Sequence, residues 1–248
     1  MPLLPTKSGV NNYSSRMPNP EPNSSPTPPV WTLADITALV LAGGRGMRMG
    51  GVDKGLQPFN GRALAHHALQ RLASQRGGPL HGIIINANRH SEQYQALGLA
   101  AFGAERVTVV PDRDMVYAGP LAGIQAGLAV CRSTLMLTVP CDSPLFPLDL
   151  ATRLLNALIA ANADMAVVQA PEAGRDGSTS LRSQPVFCLM RTMVANSLHA
   201  FLEAGGRKVD AWTAQLQLVQ VPFDAPTDDP RAFANANTLD ELRQLENP

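Results

Sequence analysis

Residues 36–55 read ITALVLAGGRGMRMGGVDKG. The first six, Ile36 to Leu41, form a short, largely aliphatic run, the pattern of a strand buried on both faces of a sheet. The next fourteen, Ala42 to Gly55, contain six glycines. Glycine accepts positive φ and lets backbone N–H groups approach a ligand closely. Successive N–H groups in such a loop form an anion nest. Arg45, Arg48 and Lys54 add three positive charges there against the single Asp53. A buried strand running into a basic, glycine-rich loop therefore predicts a phosphate site at the strand's carboxyl end. The loop is not a Walker A motif, because GxxxxGK[ST] is missing. Gly44, Gly46 and Gly50 spell GxGxxxG, a loose dinucleotide-binding variant. That motif requires a ribose-binding acid at the end of the next strand. Here that strand ends in Asn86-Ala87-Asn88-Arg89, which argues against a nicotinamide-dependent oxidoreductase.

Working outward, further strands are predicted at 83–86, 107–110, 135–139, 165–168, 186–189 and 217–221, most of them aliphatic without polar alternation. Helices are predicted between them, at 62–75, 123–130, 148–161, 193–204 and 238–245. The first places Leu64, Ala68, Leu69 and Leu72 on one face. The last opens with Thr238 and carries Glu241 three residues later, a capping box. This alternation predicts an α/β fold: a single doubly wound, mainly parallel sheet with helices on both faces, spanning residues 34–248. Residues 171–184 (PEAGRDGSTSLRSQ) predict a long Gly/Ser-rich loop, either a mobile lid or plain disorder.

Composition narrows the function. Twenty basic and twenty acidic residues leave no net charge, so no overall field holds the chain on nucleic acid or an anionic membrane. Eight of the 21 prolines fall in residues 1–30, among Ser and Asn and with few bulky aliphatics. Such a stretch buries too little apolar surface to offset its conformational entropy, so residues 1–33 are expected to be a disordered tail. Met17 offers an alternative start. Beyond residue 33 the chain carries 18 basic and 19 acidic groups. No signal-peptide core follows Met1 and no run of about 18 apolar residues occurs. Three widely spaced cysteines, Cys131, Cys141 and Cys188, lack CxxC or zinc spacing, as expected of a reduced cytoplasmic protein.

Ligands bind at the carboxyl ends of the strands in such folds, so the residues there are the ones to weigh. After the fourth strand comes Pro140-Cys141-Asp142-Ser143-Pro144. Asp142 there either holds Mg²⁺ against a triphosphate or is a turn aspartate bonding its own backbone. Cys141 has no evident base and reads as a small packing residue. After the third strand, Pro111-Asp112 precedes Gly119-Pro120-Leu121-Ala122-Gly123, a helix start whose free N–H groups either face a ligand or face none. His66 and His67 read as helix-surface residues rather than ligands.

The series LAGGRGMRMGGVDKG, NANR, PD with GPLAG, PCDSP, QPVF and NANT resembles the molybdenum cofactor guanylyltransferases, over about residues 36–245. The resemblance implies a Rossmann-like nucleotidyltransferase that takes GTP and Mg²⁺, transfers GMP to molybdopterin and releases pyrophosphate. It implies that Leu41, Ala42, Gly43 and Gly44 contact the guanine nucleotide, with Asn86, Asp112, Gly119 and Leu121 lining its pocket. It assigns Arg48 and Lys54 to the phosphates and catalysis, and Asp142 to the metal. Lys208, Asn235 and Asn237 are assigned to the pterin side. Asp112 and the GPLAG backbone are the expected readers of the guanine edge. The resemblance also implies a pterin-delivering protein and a molybdoenzyme acceptor, with neither nucleic acid nor membrane as partner. The related alternative is a cytidylyl- or sugar-phosphate nucleotidyltransferase. Two features depart from the family pattern: Lys208 stands where a second arginine is common, and 171–184 is longer than the usual connection.

Overall fold

The structure is a computed structural model, and it describes residues 1, 30–42, 52–113, 119–174, 178–236 and 238–246. The chain enters through β1 (Ile36–Leu41), a small hairpin of β2 (Pro58–Phe59) and β3 (Arg62–Ala63), and α1 (Leu64–Ala73). It continues through β4 (Gly82–Asn86), α2 (Ser91–Phe102), β5 (Val107–Val110), α3 (Pro120–Val130), β6 (Leu135–Pro140) and α4 (Leu150–Ala160). The rest comprises β7 (Met165–Ala173), β8 (Thr179–Arg191), α5 (Ala195–Glu203), α6 (Val209–Thr213), β9 (Leu218–Pro222) and α7 (Leu239–Glu246).

Seven strands form one sheet in the order β5-β4-β1-β6-β8-β7-β9. Its pairings are parallel except that β8 runs antiparallel to both β6 and β7. The chain leaves β1 toward β4 and β5, then returns to lay β6 on the other side of β1. That reversal is the topological switch point at which open α/β sheets bind ligands.

Both faces of the sheet are covered, which is why the strands read as aliphatic runs. Along β1, Ile36, Ala38 and Val40 face a core shared with α1, α2 and α4, while Leu39 faces α3, α5 and α6 across Ile84, Met136 and Trp212. Leu69 and Leu72 of α1 and Leu150, Leu154 and Leu158 of α4 are fully buried or nearly so. Burying a leucine contributes about 2 kcal/mol, so packing rather than intrinsic propensity holds these helices.

The structure revises several sequence expectations. It places a helix, α2, where the sequence reading assigns no element, because Gly98 interrupts the stretch and only Tyr94 and Gly98 are buried. Gly98 is what lets the helix approach the sheet: a side-chain carbon there would lie 2.6 Å from Val107 Cγ1. Helix α3 starts at Pro120, not 123, with Gly119 capping it at φ 131°. Residues 171–184 are not a plain loop. Residues 171–173 and 179–184 extend β7 and β8 into a two-stranded ribbon, with Gln169 opposite Ser183 and Ala173 opposite Thr179; residues 175–177 lie outside the described residues. Their composition hid pairing that only the partner strand supplies. Leu33, assigned to the tail, is buried in the core, and Arg191 stacks on Trp31 with its guanidinium 4.9 Å from the ring centre. The capping box of α7 is present: Thr238 N–H donates to Glu241 and Glu241 N–H to Thr238 Oγ1, each at 3.1 Å.

Candidate active site

Four parallel strands end on one rung of the sheet. Val110, Asn86, Leu41 and Pro140 are mutual register partners across β5, β4, β1 and β6. The pairing carries one residue further: Ala42 N–H donates to Asn86 O, Ala87 N–H to Val110 O and Cys141 N–H to Leu41 O, at 2.8, 2.9 and 3.1 Å. Ala42, Asn88, Asp112 and Asp142 therefore leave the sheet along a single edge. This is how aliphatic runs of unequal length bring polar residues far apart in sequence into one row.

At the β6 end, Lys54 Nζ lies 2.5 Å from Asp142 Oδ2, each side chain 19% exposed. Lys54 opens a short 3-10 turn, Lys54–Leu56, that follows the glycine-rich loop. Asp142 is held from behind. Its carbonyl accepts Ala236 N–H at 2.9 Å, and the neighbouring Ser143, fully buried, donates its hydroxyl to Asn235 Oδ1. The 235–236 segment is thus docked against the end of β6. Burial raises the Cys141 thiol well above its ordinary range, with Asp142 and Asp53 adding to the shift, so it is a neutral packing group and not a nucleophile.

At the β5 end, Asp112 is clamped by two asparagines. Asn86 Nδ2 donates to its Oδ1 at 2.9 Å and Asn88 Nδ2 to its Oδ2 at 2.7 Å. Asn88 Oδ1 in turn accepts Asp112 N–H at 2.8 Å. Asn86 is nearly buried and also reaches Val110 O. A carboxylate has about four acceptor positions, so this clamp orients Asp112 without exhausting it. The floor between the ends is Gly123 of α3, against which Asn86 and Leu41 pack; a side-chain carbon there would overlap Asn86 Oδ1 and sit 2.6 Å from Leu41 Cδ2. Leu121 is buried among the apolar side chains of the second face. Its backbone amide stands in the first turn of α3, where N–H groups lack helical partners.

The structure thus brings together Leu41, Ala42, Lys54, Asn86, Asp112, Asp142 and Asn235 on one edge, with Gly119 and Leu121 at the start of the helix whose Gly123 packs on Asn86 and Leu41. Gly43, Gly44, Arg48 and Asn237 lie outside the described residues. Lys208 is exposed at the residue before α6, and no hydrogen bond or ion pair among the described residues joins it to Lys54, Asp142 or Asn235. Asn88, which holds Asp112, and Ser143, which holds Asn235, are not singled out by the sequence, although both lie inside the motifs NANR and PCDSP. Among the described residues no group of three or more His, Cys, Asp or Glu side chains could ligate a metal. Asp142 is a lone carboxylate facing a cation. That suits Mg²⁺, which takes one or two carboxylates and fills its other positions with phosphate oxygens and water. A cleft of about 390 Å³, lined in part by Arg71, Pro147, Asp149 and Asp228, shares no residue with this edge.

The MobA-like NTP transferase domain family matches residues 38–219. The molybdenum cofactor guanylyltransferase of Albidiferax ferrireducens is 56% identical over 213 residues, 86% of this chain and 96% of that protein. Among solved structures, molybdopterin-guanine dinucleotide biosynthesis protein A from Archaeoglobus fulgidus superposes with a TM-score of 0.63 at 21% identity, covering 85% of this chain and 96% of its own. The 4-diphosphocytidyl-2C-methyl-D-erythritolsynthase of Anaerococcus prevotii superposes with a TM-score of 0.64 at 13% identity, covering 86% of this chain and 96% of its own. At such identities these two structures share the fold, and the fold does not separate guanylyl from cytidylyl transfer.

Proposed function

Given that the chain belongs to the MobA-like NTP transferase family, as a molybdenum cofactor guanylyltransferase moving GMP from GTP to molybdopterin, we propose that Lys54 and Asp142 form the phosphate end of its site and Asn86 and Asp112 the nucleotide end. The observation that carries this reading is the Lys54–Asp142 pair, 2.5 Å apart beside the switch point of the sheet. A lysine and a carboxylate poised on one another give a triphosphate a cation directly and offer its metal an anion. Gly43, Gly44 and Arg48 join this end by family resemblance, as do Asn237 and Lys208 on the pterin side. The docking of Asn235 on Ser143, beside Asp142, supports its assignment to the second substrate.

The reaction is an in-line displacement. The terminal phosphate of molybdopterin forms a bond to the α-phosphorus of GTP, the bond to the β-phosphate oxygen breaks, and pyrophosphate leaves. A phosphate monoester has its second pKa near 6, so the attacking oxygen is already anionic and needs no general base. Positioning and electrostatics supply the rate. Asp142 would hold Mg²⁺, which when bound would screen the charge accumulating on the triphosphate oxygens. Lys54 exchanges its carboxylate partner for phosphate oxygens as the nucleotide enters. Asn86 fixes Asp112, and Asp112 with the amides of Gly119 and Leu121 presents fixed dipoles to the base and ribose. A wrong base leaves such groups unpaired, which is how a site of this kind discriminates. Delivery of the pterin by one protein, its acceptance by a molybdoenzyme, and a cytoplasmic setting complete the proposal.

The test is pyrophosphate release in the presence of molybdopterin with each NTP. GTP is expected to be the preferred substrate, with activity lost on chelation and restored by Mg²⁺. Equal or better turnover with CTP would replace this reading with the cytidylyl alternative.

A further inference from the structure

Beneath the Lys54–Asp142 pair lies a second polar contact that touches no substrate. Tyr94 of α2 is fully buried, and its hydroxyl donates to Asp53 Oδ1 at 2.5 Å. Asp53 is itself only 8% exposed. Burying a carboxylate is costly unless it is hydrogen-bonded, and Tyr94 supplies that bond. The Asp53 carbonyl accepts Leu56 N–H at 3.3 Å and Gln57 Nε2 at 3.1 Å, which closes the turn that begins with Lys54. Gly55, within that turn, has no room for a side chain: a carbon there would overlap the Tyr94 hydroxyl and sit 3.1 Å from Cys141 Sγ. Three elements therefore meet behind the ion pair: α2 through Tyr94, the turn through Asp53 and Gly55, and the end of β6 through Cys141, the residue before Asp142.

We propose that Tyr94 is a positioning residue for the transfer reaction. Through Asp53 it holds the Lys54 turn against the end of β6, so that the Lys54 ammonium stays over the phosphate site. Neither the Tyr94 hydroxyl nor the Asp53 carboxylate is open to a substrate, so both act through Lys54. Burial raises the Tyr94 pKa well above the ordinary phenol value, which keeps the hydroxyl protonated as a donor. The inference rests on the assignment of Lys54 to the phosphates. A misplacement of about 1 Å at such a group is enough to lower the rate strongly.

The test is a double-mutant cycle read as kcat, KM and Tm. Tyr94→Phe keeps the ring and removes only the donor; kcat is expected to fall about tenfold with the KM for molybdopterin unchanged. In a Lys54→Ala background the same substitution is expected to lower kcat no further, because the group it positions is gone. Asp53→Asn keeps an accepting oxygen and is expected to recover kcat relative to Asp53→Ala, which removes it. Wild-type kcat in Tyr94→Phe, or an undiminished loss in the Lys54→Ala background, would overturn the inference. Wild-type kcat in Lys54→Ala alone would overturn the assignment of Lys54 instead.

Discussion

At the β6 end of the site edge a lysine and an aspartate face each other across 2.5 Å, each 19% exposed, and rest on the buried Asp53–Tyr94 contact. At the β5 end, two asparagines hold a single carboxylate, and one of them, Asn88, is exposed. Both ends stand on the same rung of the same sheet. The difference is in the kind of group each presents and in how rigidly it is backed. Opposite charges on a fixed support suit charge that changes during the reaction, so under the proposed function they are expected to act on kcat. Neutral amides around one carboxylate suit charge and shape that do not change, so they are expected to act on KM.

The sharpest way to break this comparison is to remove a charge from the β6 end. Asp142→Ala is expected to lower kcat by on the order of a thousandfold, because the metal loses its protein ligand. Lys54→Ala is expected to cost about a hundredfold. Both substitutions leave a partner that water can reach, so Tm is expected to stay near that of the parent. A fall in Tm as large as the fall in rate would make the pair structural. The effect at the other end is expected to be smaller and of a different kind. Asn88→Ala frees one oxygen of Asp112 and its backbone N–H, and the KM for GTP is expected to rise about fivefold with kcat nearly unchanged. If kcat fell instead, the two ends would share one role.

The smallest effect concerns the wall behind the β6 end. Of the three free cysteines, Cys141 and Cys188 are buried. Burial pushes the Cys188 thiol up to about 12 and the Cys141 thiol higher still. A raised thiol pKa leaves the neutral, unreactive form at neutral pH. Only the half-buried Cys131 is therefore expected to react quickly with a thiol reagent at about pH 8 in the native protein, with the other two reacting after unfolding. Rapid modification of Cys141 in the native chain would mean that the phosphate end is less firmly backed than the Asp53–Tyr94–Gly55 contact implies.

How much was legible beforehand follows from which interactions are local. Strand β1 falls at the residues its aliphatic run predicts, because burial on both faces keeps the run apolar apart from Thr37, whose hydroxyl is paired with Ser133. Asn86, Asp112 and Asp142 stand out because each lies at or just past the end of a strand, where a doubly wound sheet presents its ligands, and Lys54 because it closes the basic glycine-rich loop that follows β1. Helix α2 was not legible, since Gly98 interrupts it and the exposed Leu99 and Ala100 blur the stripe of Tyr94, Leu97, Ala101 and Phe102 that packs on the core. The β7–β8 ribbon was not legible either: Ser180, Leu181 and Arg182 gain strand geometry from Glu172, Pro171 and Ala170 opposite them. The asparagine clamp on Asp112 was half visible, as the NANR motif without its partner.

By itself the sequence determined the alternation of strands and helices, the basic glycine-rich loop and the family. Each of these is written in residues that are neighbours along the chain. The tertiary structure decided which of those residues act together. Lys54 meets Asp142 across 88 positions and Tyr94 meets Asp53 across 41. Such contacts are set by strand order and by the close approach that Gly55 permits, and short-range patterning carries no record of either.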